Sequence, residues 1–292
     1  MPTLIDLHHL GHPKVLSSYL LEGDEPALVD CGPASCVETL VAALADLGLR
    51  LTDVRHLLLT HIHLDHAGGA GVLVRRHPGL QVHVSEIGAP HVVDPGRLEQ
   101  SARRLYGNDF DRLWGDLLPV PAENVHVLGN RVLGLEAFPA PGHASHHVAF
   151  LAPDGFCFVG DATGVRIHPV AYVRPMTPPP DVDLDAWAGT LAAIESRRPA
   201  RLGVAHFGCF DDLAEHLAQV REGLARWAER VRAGLPQEEF EAAAEAELPT
   251  GIDAVSAEAY RRASPAWQCF LGLERYWIKR AEREGGSTWH TS

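Results

Sequence analysis

The sequence has no long apolar run and no feature of an exported protein. No uninterrupted apolar stretch among its 292 residues approaches the roughly 18 residues that a membrane helix needs. Residues 1–6 lack the basic segment and the long apolar core of a signal peptide. The five cysteines are scattered, odd in number and without a Cys-x-x-Cys pair, which indicates reduced thiols rather than a disulfide framework. We therefore expect a cytoplasmic protein that does not enter a membrane.

Positive charge is also scarce. The 25 Lys and Arg residues face 38 Asp and Glu residues, which gives a formal net charge of -13 at pH 7. No run of Lys or Arg offers the basic path that nucleic-acid phosphates require. A nucleic-acid partner is therefore not expected, and the predicted partner is a small-molecule substrate. With 46% hydrophobic residues the chain can bury a large core.

Ligand-type side chains, in contrast, are concentrated at residues 60–66, which read Thr-His-Ile-His-Leu-Asp-His directly after an apolar run. Imidazole and carboxylate groups together suit zinc, manganese or iron. Residues two apart along an extended loop point the same way. His61 and His63 can therefore reach one ion, while Asp65 and His66, beyond the bend, reach another.

Three further ligand-type residues follow predicted strands. His143 lies in the segment Pro-Gly-His-Ala-Ser, where glycine lets the backbone turn. Asp161 follows the apolar segment 156–160, and His206 follows the apolar segment 202–205. Each residue alone is a weak signal, but together with the first four they complete a set of seven.

The order of these seven residues resembles the metallo-β-lactamase-fold hydrolase superfamily, whose pattern is His-x-His-x-Asp-His followed by a distal His, a bridging Asp and a final His. The resemblance covers roughly the first 207 residues and is specific. It implies two divalent metal ions, for which zinc is expected and iron or manganese are the alternatives. The ligand assignment that it implies has three parts: His61, His63 and His143 for one ion, Asp65, His66 and His206 for the other, and Asp161 as the bridge.

Two more residues are assigned to an outer layer around these ligands. Asp30 ends another apolar strand and matches the position where the family often keeps an aspartate that orients the ligating histidines. His147 lies beside the distal ligand, and a third metal would need more hard ligands than the sequence offers. We therefore predict that Asp30 and His147 support the ligands from outside.

The alternation of short apolar strands with helical patterns predicts an α/β fold. It fits the layered αββα metallo-β-lactamase sandwich that the resemblance implies, with a C-terminal helical extension. The sandwich domain is predicted for residues 1–207, with a helical insertion at about 94–119, and the extension for residues 208–292. One strand is predicted over residues 131–138. An amphipathic helix is predicted from Leu213 to Val231, and a last helix from about Pro265. Residues 285–292 are predicted to fray.

The added segments leave alternatives open. The insertion carries Tyr106 and Trp114, which either shape a substrate pocket as part of a lid or serve as packing. The proline-rich segment 172–181 is either a surface strap or places Tyr172 or Arg174 against a substrate oxygen or carboxylate. The aromatic residues of the C-terminal helices either pack on the sandwich or form a homodimer surface.

The predicted activity is that of a dinuclear metal-dependent hydrolase of a small ester, thioester or lactone. A bridging hydroxide would attack the carbonyl, with Asp65 orienting it and the metals stabilising the oxyanion. The motifs look closer to the glyoxalase II-like and lactonase-like branches than to β-lactamases. Two features disfavour a glutathione thioester as the substrate. The distal motif at residues 142–147 departs from the hydroxyacylglutathione hydrolase pattern. The C-terminal half also shows no clear basic patch for the carboxylates of glutathione.

Two other classes remain as alternatives. An iron-dependent oxidoreductase of the same fold, similar to a persulfide dioxygenase, would use one iron and would not need the second ligand set. A flavodiiron protein would need a flavodoxin-like domain, for which the residues after Phe207 are too few. A binding module without catalysis would have no chemical reason to keep seven converging ligands.

Overall fold

The computed structural model of the chain describes residues 1–285. The prediction of a frayed end concerns mainly residues 286–292, which lie outside the described residues. Among the residues described, no helix is long and apolar enough to cross a membrane.

The structure contains two sheets, each of six strands. The first has the spatial order β1 to β6 and is antiparallel from β1 to β3 and parallel from β3 to β6. Its strands are β1 (Thr3–Asp6), β2 (Ser17–Leu21), β3 (Ala27–Val29), β4 (His56–Leu58), β5 (Gln81–Val84) and β6 (Val125–Val127). The second comprises β7 (Arg131–Val132), β8 (Leu135–Pro139), β9 (Val148–Leu151), β10 (Phe156–Gly160), β11 (Arg201–Val204) and β12 (Gly208–Phe210). It has the order β12-β11-β10-β9-β8-β7, and only β10 and β11 pair in parallel.

Helices cover the outer faces of the sheets and form the walls above the strand ends. The described α-helices are α1 (Val37–Asp46), α2 (Leu64–Ala67), α3 (Ala70–Arg76), α4 (Ala89–Val93), α5 (Gly96–Tyr106), α6 (Phe110–Trp114), α7 (Leu184–Arg197), α8 (Leu213–Arg232), α9 (Gln237–Ala246), α10 (Ala254–Ala263) and α11 (Ala266–Arg283). The predicted insertion is helical as expected, with α5 and α6 falling inside it.

The side chains of the central strands alternate between two apolar cores. Val29 of β3 and Phe158 of β10 belong to the core between the two sheets. Their neighbours Leu28 and Cys157 belong to the larger core beneath the helices. Because successive side chains of a strand point to opposite faces, each sheet is apolar on both sides and must be covered twice. This arrangement confirms the predicted αββα sandwich.

The predicted strand over residues 131–138 is wrong as a single element. The structure divides it into the antiparallel strands β7 and β8. The turn between them consists of Leu133 and Gly134, which have φ angles of 48° and 81°. Positive φ at both central residues is typical of the tight hairpin turn that matches strand twist, and glycine adopts it without strain. The single glycine inside an apolar run was the signal for this turn.

The C-terminal region is more closely joined to the sandwich than an appendage. Its first residues form β12, which pairs with β11 of the second sheet. The predicted amphipathic helix is confirmed as α8, and the last helix as α11, but α10 was not predicted. Gly272 of α11 packs directly on the proline-rich segment, since a Cβ added there would lie 1.9 Å from the carbonyl oxygen of Thr177.

The aromatic side chains of these helices are largely buried within the chain. Trp227 of α8 and Leu273 of α11 are fully buried, and Phe270 is 5% exposed. Packing on the sandwich therefore accounts for these residues without a second copy. The homodimer stays a prediction.

Glu247 connects α8 to the segment that follows α9. Its carboxylate accepts hydrogen bonds from Arg226 Nε at 2.9 Å, from Trp227 Nε1 at 3.0 Å and from the Tyr172 hydroxyl at 3.1 Å, and it also pairs with Arg230. Partial burial alone would raise the pKa of Glu247. The hydrogen bonds from Arg226, Trp227 and Arg230 outweigh burial and bring the pKa to about 2.

We expect Glu247→Gln to destabilise the protein by about 2 kcal/mol at pH 7, because charged hydrogen bonds of the carboxylate are lost. A carboxylate whose pKa is lower in the folded than in the unfolded state stabilises the fold above the unfolded pKa, and this contribution falls away as the pH drops towards the folded pKa. The free energy of unfolding, measured with urea, should therefore differ less between wild type and variant at pH 3 than at pH 7. Glu229→Gln, which breaks an exposed pair with Arg232, is the control and should change little. An unchanged difference at pH 3 would contradict the assigned pKa.

Candidate metal centre

The ligand-type residues lie where strands of both sheets end. His61 and His63 follow β4, and the chain then turns into α2, which contains Asp65 and His66. Asp161 follows β10 directly, and His206 comes two residues after β11. His143 lies between β8 and β9. The structure thus brings all seven residues to one edge of the sandwich.

Three histidines converge on one point. Nε2 of His61 lies 3.1 Å from Nδ1 of His63, and Nε2 of His143 lies 2.8 Å from the same atom. The ligand atoms of the trio all lie within 4.8 Å of one another. In a tetrahedral site with Zn–N distances of about 2.0–2.1 Å, ligand nitrogens are separated by about 3.3 Å. The trio therefore has the spacing that a single ion requires.

A second group forms beside the first. Nε2 of His66 lies 3.4 Å from Oδ2 of Asp161, and Nε2 of His206 lies 3.4 Å from Oδ1 of the same carboxylate. Oδ2 of Asp65 is 3.7 Å from His66 Nε2 and 3.6 Å from His206 Nε2. These four residues also have ligand atoms within 4.8 Å of one another.

Asp161 lies between the two groups. Its Oδ2 is 3.5 Å from Nε2 of His143 and 3.9 Å from Nε2 of His61, both of the first trio. The carboxylate therefore faces imidazole nitrogens of both groups at once, which is the position that a bridging ligand must occupy.

Several ligand atoms of this cluster are buried and have no hydrogen-bond partner in the described residues. They are Nε2 of His66, Nε2 of His206 and both carboxylate oxygens of Asp161. Buried polar atoms without a partner are rare and cost free energy. Divalent cations would satisfy all of them, and imidazole nitrogens with carboxylate oxygens are the donors that zinc and iron accept. The residues present thus fit two metal ions.

Asp30 connects three structural elements beneath the second group. Its Oδ2 accepts a hydrogen bond from His66 Nδ1 at 2.9 Å and one from the Thr60 hydroxyl at 2.7 Å, while its Oδ1 accepts one from the Thr60 backbone N–H at 2.8 Å. Asp30 itself has a φ of 57°, a left-handed conformation that Asp tolerates better than most residues. The carboxylate therefore fixes the ring of His66 with Nε2 directed at the cluster.

Backbone carbonyls orient two other ligands. His143 Nδ1 donates to the Met176 carbonyl at 2.8 Å, and His206 Nδ1 donates to the Val15 carbonyl at 2.6 Å. A proton on Nδ1 leaves the Nε2 lone pair free for a metal. These carbonyls were not predicted, because any residue type can supply one.

His147 lies behind the first trio. Its Nε2 accepts a hydrogen bond from the backbone N–H of Asp161 at 3.1 Å, and its ring stacks on that of His61 at 4.7 Å. His147 thus contacts two ligands from outside the cluster. His146 is also buried, with its ring 6.0 Å from that of His61.

The electrostatics differ between the two groups. Burial, reinforced by neighbouring histidines, lowers the pKa values of His61 and His63 well below the ordinary value. Burial would also lower the pKa of His66, but attraction to Asp161, Asp65 and Asp30 outweighs it and raises that pKa. The pKa of Asp161 lies well below its ordinary value because the surrounding histidines, led by His66, outweigh burial. Metal binding at the second group would therefore release protons.

A cleft of about 1080 Å³ opens above the cluster, and His63 and Asp65 are among its lining residues. α5 and α6 form one wall, and α10 and α11 form the opposite wall. Tyr106 lies in the cleft, with its ring 5.0 Å from Trp114 and 6.5 Å from Trp267. Arg174 also lines the cleft. The aromatic residues of the insertion therefore both pack together and bound the space above the cluster.

Tyr172 is the one predicted substrate residue that the structure does not bring to this cleft. Its hydroxyl donates to Glu247, and its ring packs 5.5 Å from that of Tyr260. The hydroxyl group thus stabilises the C-terminal helices rather than facing the cluster.

Some cleft residues were missed in the sequence. His9 stacks on Trp114 at 5.6 Å and hydrogen bonds to the Leu113 carbonyl. Trp267 and Gln268 at the start of α11 complete the opposite wall. The aromatic residue soon after Pro265 was a usable signal, whereas nothing local distinguishes His9.

The sequence profile of the Metallo-beta-lactamase superfamily matches residues 13–206, a segment that includes all seven ligand-type residues. The chain belongs to the metallo-beta-lactamase superfamily. The two sheets, the order of the ligand-type residues and their convergence at one edge of the sandwich are those of a member of this superfamily.

Individual relatives extend the likeness beyond the matched segment. The metallo-beta-lactamase fold-containing protein ST1585 of Sulfurisphaera tokodaii is 27% identical over 220 residues, 71% of this chain and 79% of that protein. The crystal structure of ST1585 from Sulfolobus tokodaii aligns with a TM-score of 0.65 at 23% identity, over 93% of this chain and 97% of that chain. The superfamily fold with its C-terminal helices is therefore shared.

The names of two other similar proteins state an activity or a bound metal. Hydroxyacylglutathione hydrolase of Chromohalobacter salexigens is 32% identical over 140 residues, 47% of this chain and 42% of that enzyme. TTHA1623, solved in a di-iron-bound form, aligns with a TM-score of 0.53 at 27% identity, over 72% of this chain and 92% of that chain.

We expect Asp30→Asn to weaken the binding of one of two zinc ions by about 10–100-fold, because the amide cannot accept all three hydrogen bonds that hold His66 and Thr60. Chelator competition followed by elemental analysis measures each affinity. Asp24→Asn, at an exposed carboxylate of a turn, is the matched control. Equal zinc affinities in Asp30→Asn and wild type would contradict the orienting role of Asp30.

Proposed function

We propose that this superfamily member is a dinuclear metal-dependent hydrolase that cleaves a small ester, thioester or lactone. The observation that carries the proposal is the pair of ligand groups that share the Asp161 carboxylate at the floor of an open cleft. A superfamily hydrolase would be expected from the comparisons alone. The geometry of the two groups supports the finer statement about two ions.

The metals would be held by the seven ligand-type residues. Bound there, two divalent ions would act as Lewis acids on a carbonyl oxygen and would lower the pKa of a water molecule towards neutrality. Zinc is the metal that we propose, because histidine with one or two carboxylates is a common zinc ligand set. The di-iron form of TTHA1623 makes iron the alternative.

The chain's own residues would then position the attacking water and the substrate. Asp65 is partly exposed to the cleft, with its Oδ2 beside His66 and His206, so its carboxylate can accept a hydrogen bond from the attacking water and orient it. Tyr106 lines the cleft, and its phenol can donate a hydrogen bond to a substrate oxygen. Burial raises its pKa further above neutrality. No serine or cysteine is required as a nucleophile.

The size of the cleft is consistent with an acyl or leaving group of substantial length. A volume of about 1080 Å³ lies at the upper end of the roughly 300–1,000 Å³ that is typical of small-molecule sites. The hydroxyacylglutathione hydrolase among the relatives supports thioesters as one class to test.

The test combines metal analysis with a substrate panel. We expect two equivalents of zinc per chain by elemental analysis. We also expect turnover of at least one class among p-nitrophenyl esters, acyl thioesters and lactones. One iron per chain with oxygen uptake and no hydrolysis would instead favour an oxidoreductase of the same fold.

A variant of the shared carboxylate tests the dinuclear arrangement. We expect Asp161→Asn to lose metal and to lower kcat/KM by about 100-fold or more, because a neutral amide cannot replace a carboxylate shared by two ions. Circular dichroism and the thermal transition should show a folded protein, and Asp24→Asn should behave as wild type. Undiminished turnover with only one metal bound would overturn the dinuclear mechanism.

A further inference from the structure

Arg174 is a buried side chain with unsatisfied hydrogen-bond donors. Its side chain is 2% exposed, and its Nε and Nη1 atoms have no hydrogen-bond acceptor. No carboxylate oxygen of residues 1–285 lies within 4.0 Å of its guanidinium. Its guanidinium carbon lies 5.5 Å from the centre of the Trp227 ring. A guanidinium stays charged in proteins, and an unpaired buried charge is costly.

Three acidic residues of the C-terminal helical region pair with other arginines. Glu245 accepts a hydrogen bond from Arg261 Nε at 2.9 Å. Glu258 pairs with Arg262 at 2.7 Å, and Glu247 is held by Arg226 and its neighbours. The hydrogen bond from Arg261 and, to a smaller extent, the charge of Arg174 lower the pKa of Glu245. Arg174 is therefore attracted to this carboxylate but has no carboxylate as a hydrogen-bond partner among residues 1–285.

The backbone holds Arg174 in a fixed position relative to the metal cluster. Its N–H donates to the Val165 carbonyl and its carbonyl accepts from the Val165 N–H, both at 2.8 Å. Two residues later, the Met176 carbonyl accepts the hydrogen bond of His143. The backbone of Arg174 and the carbonyl that orients His143 are therefore held in the same short segment of chain.

The cleft joins these two features. Arg174 lines the same cleft as His63 and Asp65. The aromatic rings of Tyr106 and Trp267, which lie 6.5 Å apart, also line it. A bound molecule can therefore place one end at the cluster, run along the aromatic wall and bring its other end to the guanidinium.

We propose that Arg174 binds a carboxylate at the end of the substrate remote from the scissile bond, so that the natural substrate is a carboxylated ester, thioester or lactone with an apolar middle. The planar guanidinium fork matches a carboxylate in two parallel hydrogen bonds. A single guanidinium suits a monoanion, and Glu241 and Glu245, which line the same cleft, repel a phosphate dianion more strongly than a monoanion. The bond cleaved rests on the proposed function, whereas the anion site does not.

Paired substrates test the proposal on the zinc-loaded protein. Each pair is a p-nitrophenyl monoester of a dicarboxylic acid, with four to eight carbons, and the same ester with its free carboxylate replaced by a primary amide. In wild type we expect kcat/KM to be at least about 10-fold higher for the carboxylate at the optimal length, mostly through KM. In Arg174→Met the ratio should fall to about 1, and in Arg174→Lys to an intermediate value, because lysine keeps the charge without the fork.

The control is Arg104→Met, which removes an exposed arginine from the edge of the same cleft and should keep the wild-type ratio. A ratio near 1 in wild type at every length, or a ratio retained in Arg174→Met, would overturn the proposal. A stronger preference for an ester with a terminal phosphonate would overturn the assignment to a carboxylate.

A binding measurement separates this proposal from the proposed function. Calorimetric titration with the free dicarboxylic acids should show binding to wild type that is at least about 10-fold tighter than to Arg174→Met. If neither ester is hydrolysed but this difference is found, the hydrolase assignment fails and the anion site stands. If hydrolysis occurs and the two proteins bind the diacids equally, the anion site fails alone.

Discussion

The arrangement of the ligand cluster depends on a single buried carboxylate, that of Asp161. Its side chain is enclosed by histidines from three separate parts of the chain, and neither oxygen has a hydrogen-bond donor among the described residues. Strands of both sheets must end at the same edge to bring those histidines together. The turn into Asp161 requires glycine at residue 160, where φ is 48°. A Cβ added to Gly160 would lie 2.7 Å from both His147 Nε2 and Thr60 Oγ1.

The centre consists of a floor and walls, and of these only the wall helices α10 and α11 lie beyond the segment that matches the superfamily. The floor, with the ligands and the supports Asp30 and Thr60, lies within the segment that matches the superfamily. The walls come from the insertion helices α5 and α6, the proline-rich segment and the helices α10 and α11. The floor determines which chemistry is available, and the walls determine which molecules reach it. Likeness to a relative therefore says more about the reaction type than about the substrate.

The sequence predicts the floor well, because its residues combine an unusual side-chain type with a position after an apolar strand. The seven ligand-type residues that were singled out do lie together, and the αββα layers follow from strands that are apolar on both faces. The division of residues 131–138 into two strands escaped prediction because Gly134 lies within an otherwise apolar run. α10 escaped because its start, capped by the Asp253 side chain at Ser256 N, falls in a segment without a strong apolar period.

The supports and walls were harder to predict for a physical reason. The carbonyls of Met176 and Val15 hold ligands through backbone atoms, which any residue provides. The unpaired state of Arg174 is a property of its surroundings and not of its sequence neighbours. Tyr172, two residues away, has an equally suggestive side chain, yet its hydroxyl is bound to Glu247.

The contact of Gly272 with Thr177 joins regions that are distant in the chain. Backbone meets backbone there without an intervening side chain, so α11 and the proline-rich segment cannot move apart by a change of rotamer. Met176, the neighbour of Thr177, holds His143. Opening of the last helix would therefore disturb the edge of the sheets that carries the ligand-type residues, and the sandwich and the C-terminal helices would exchange amide hydrogens as one cooperative unit.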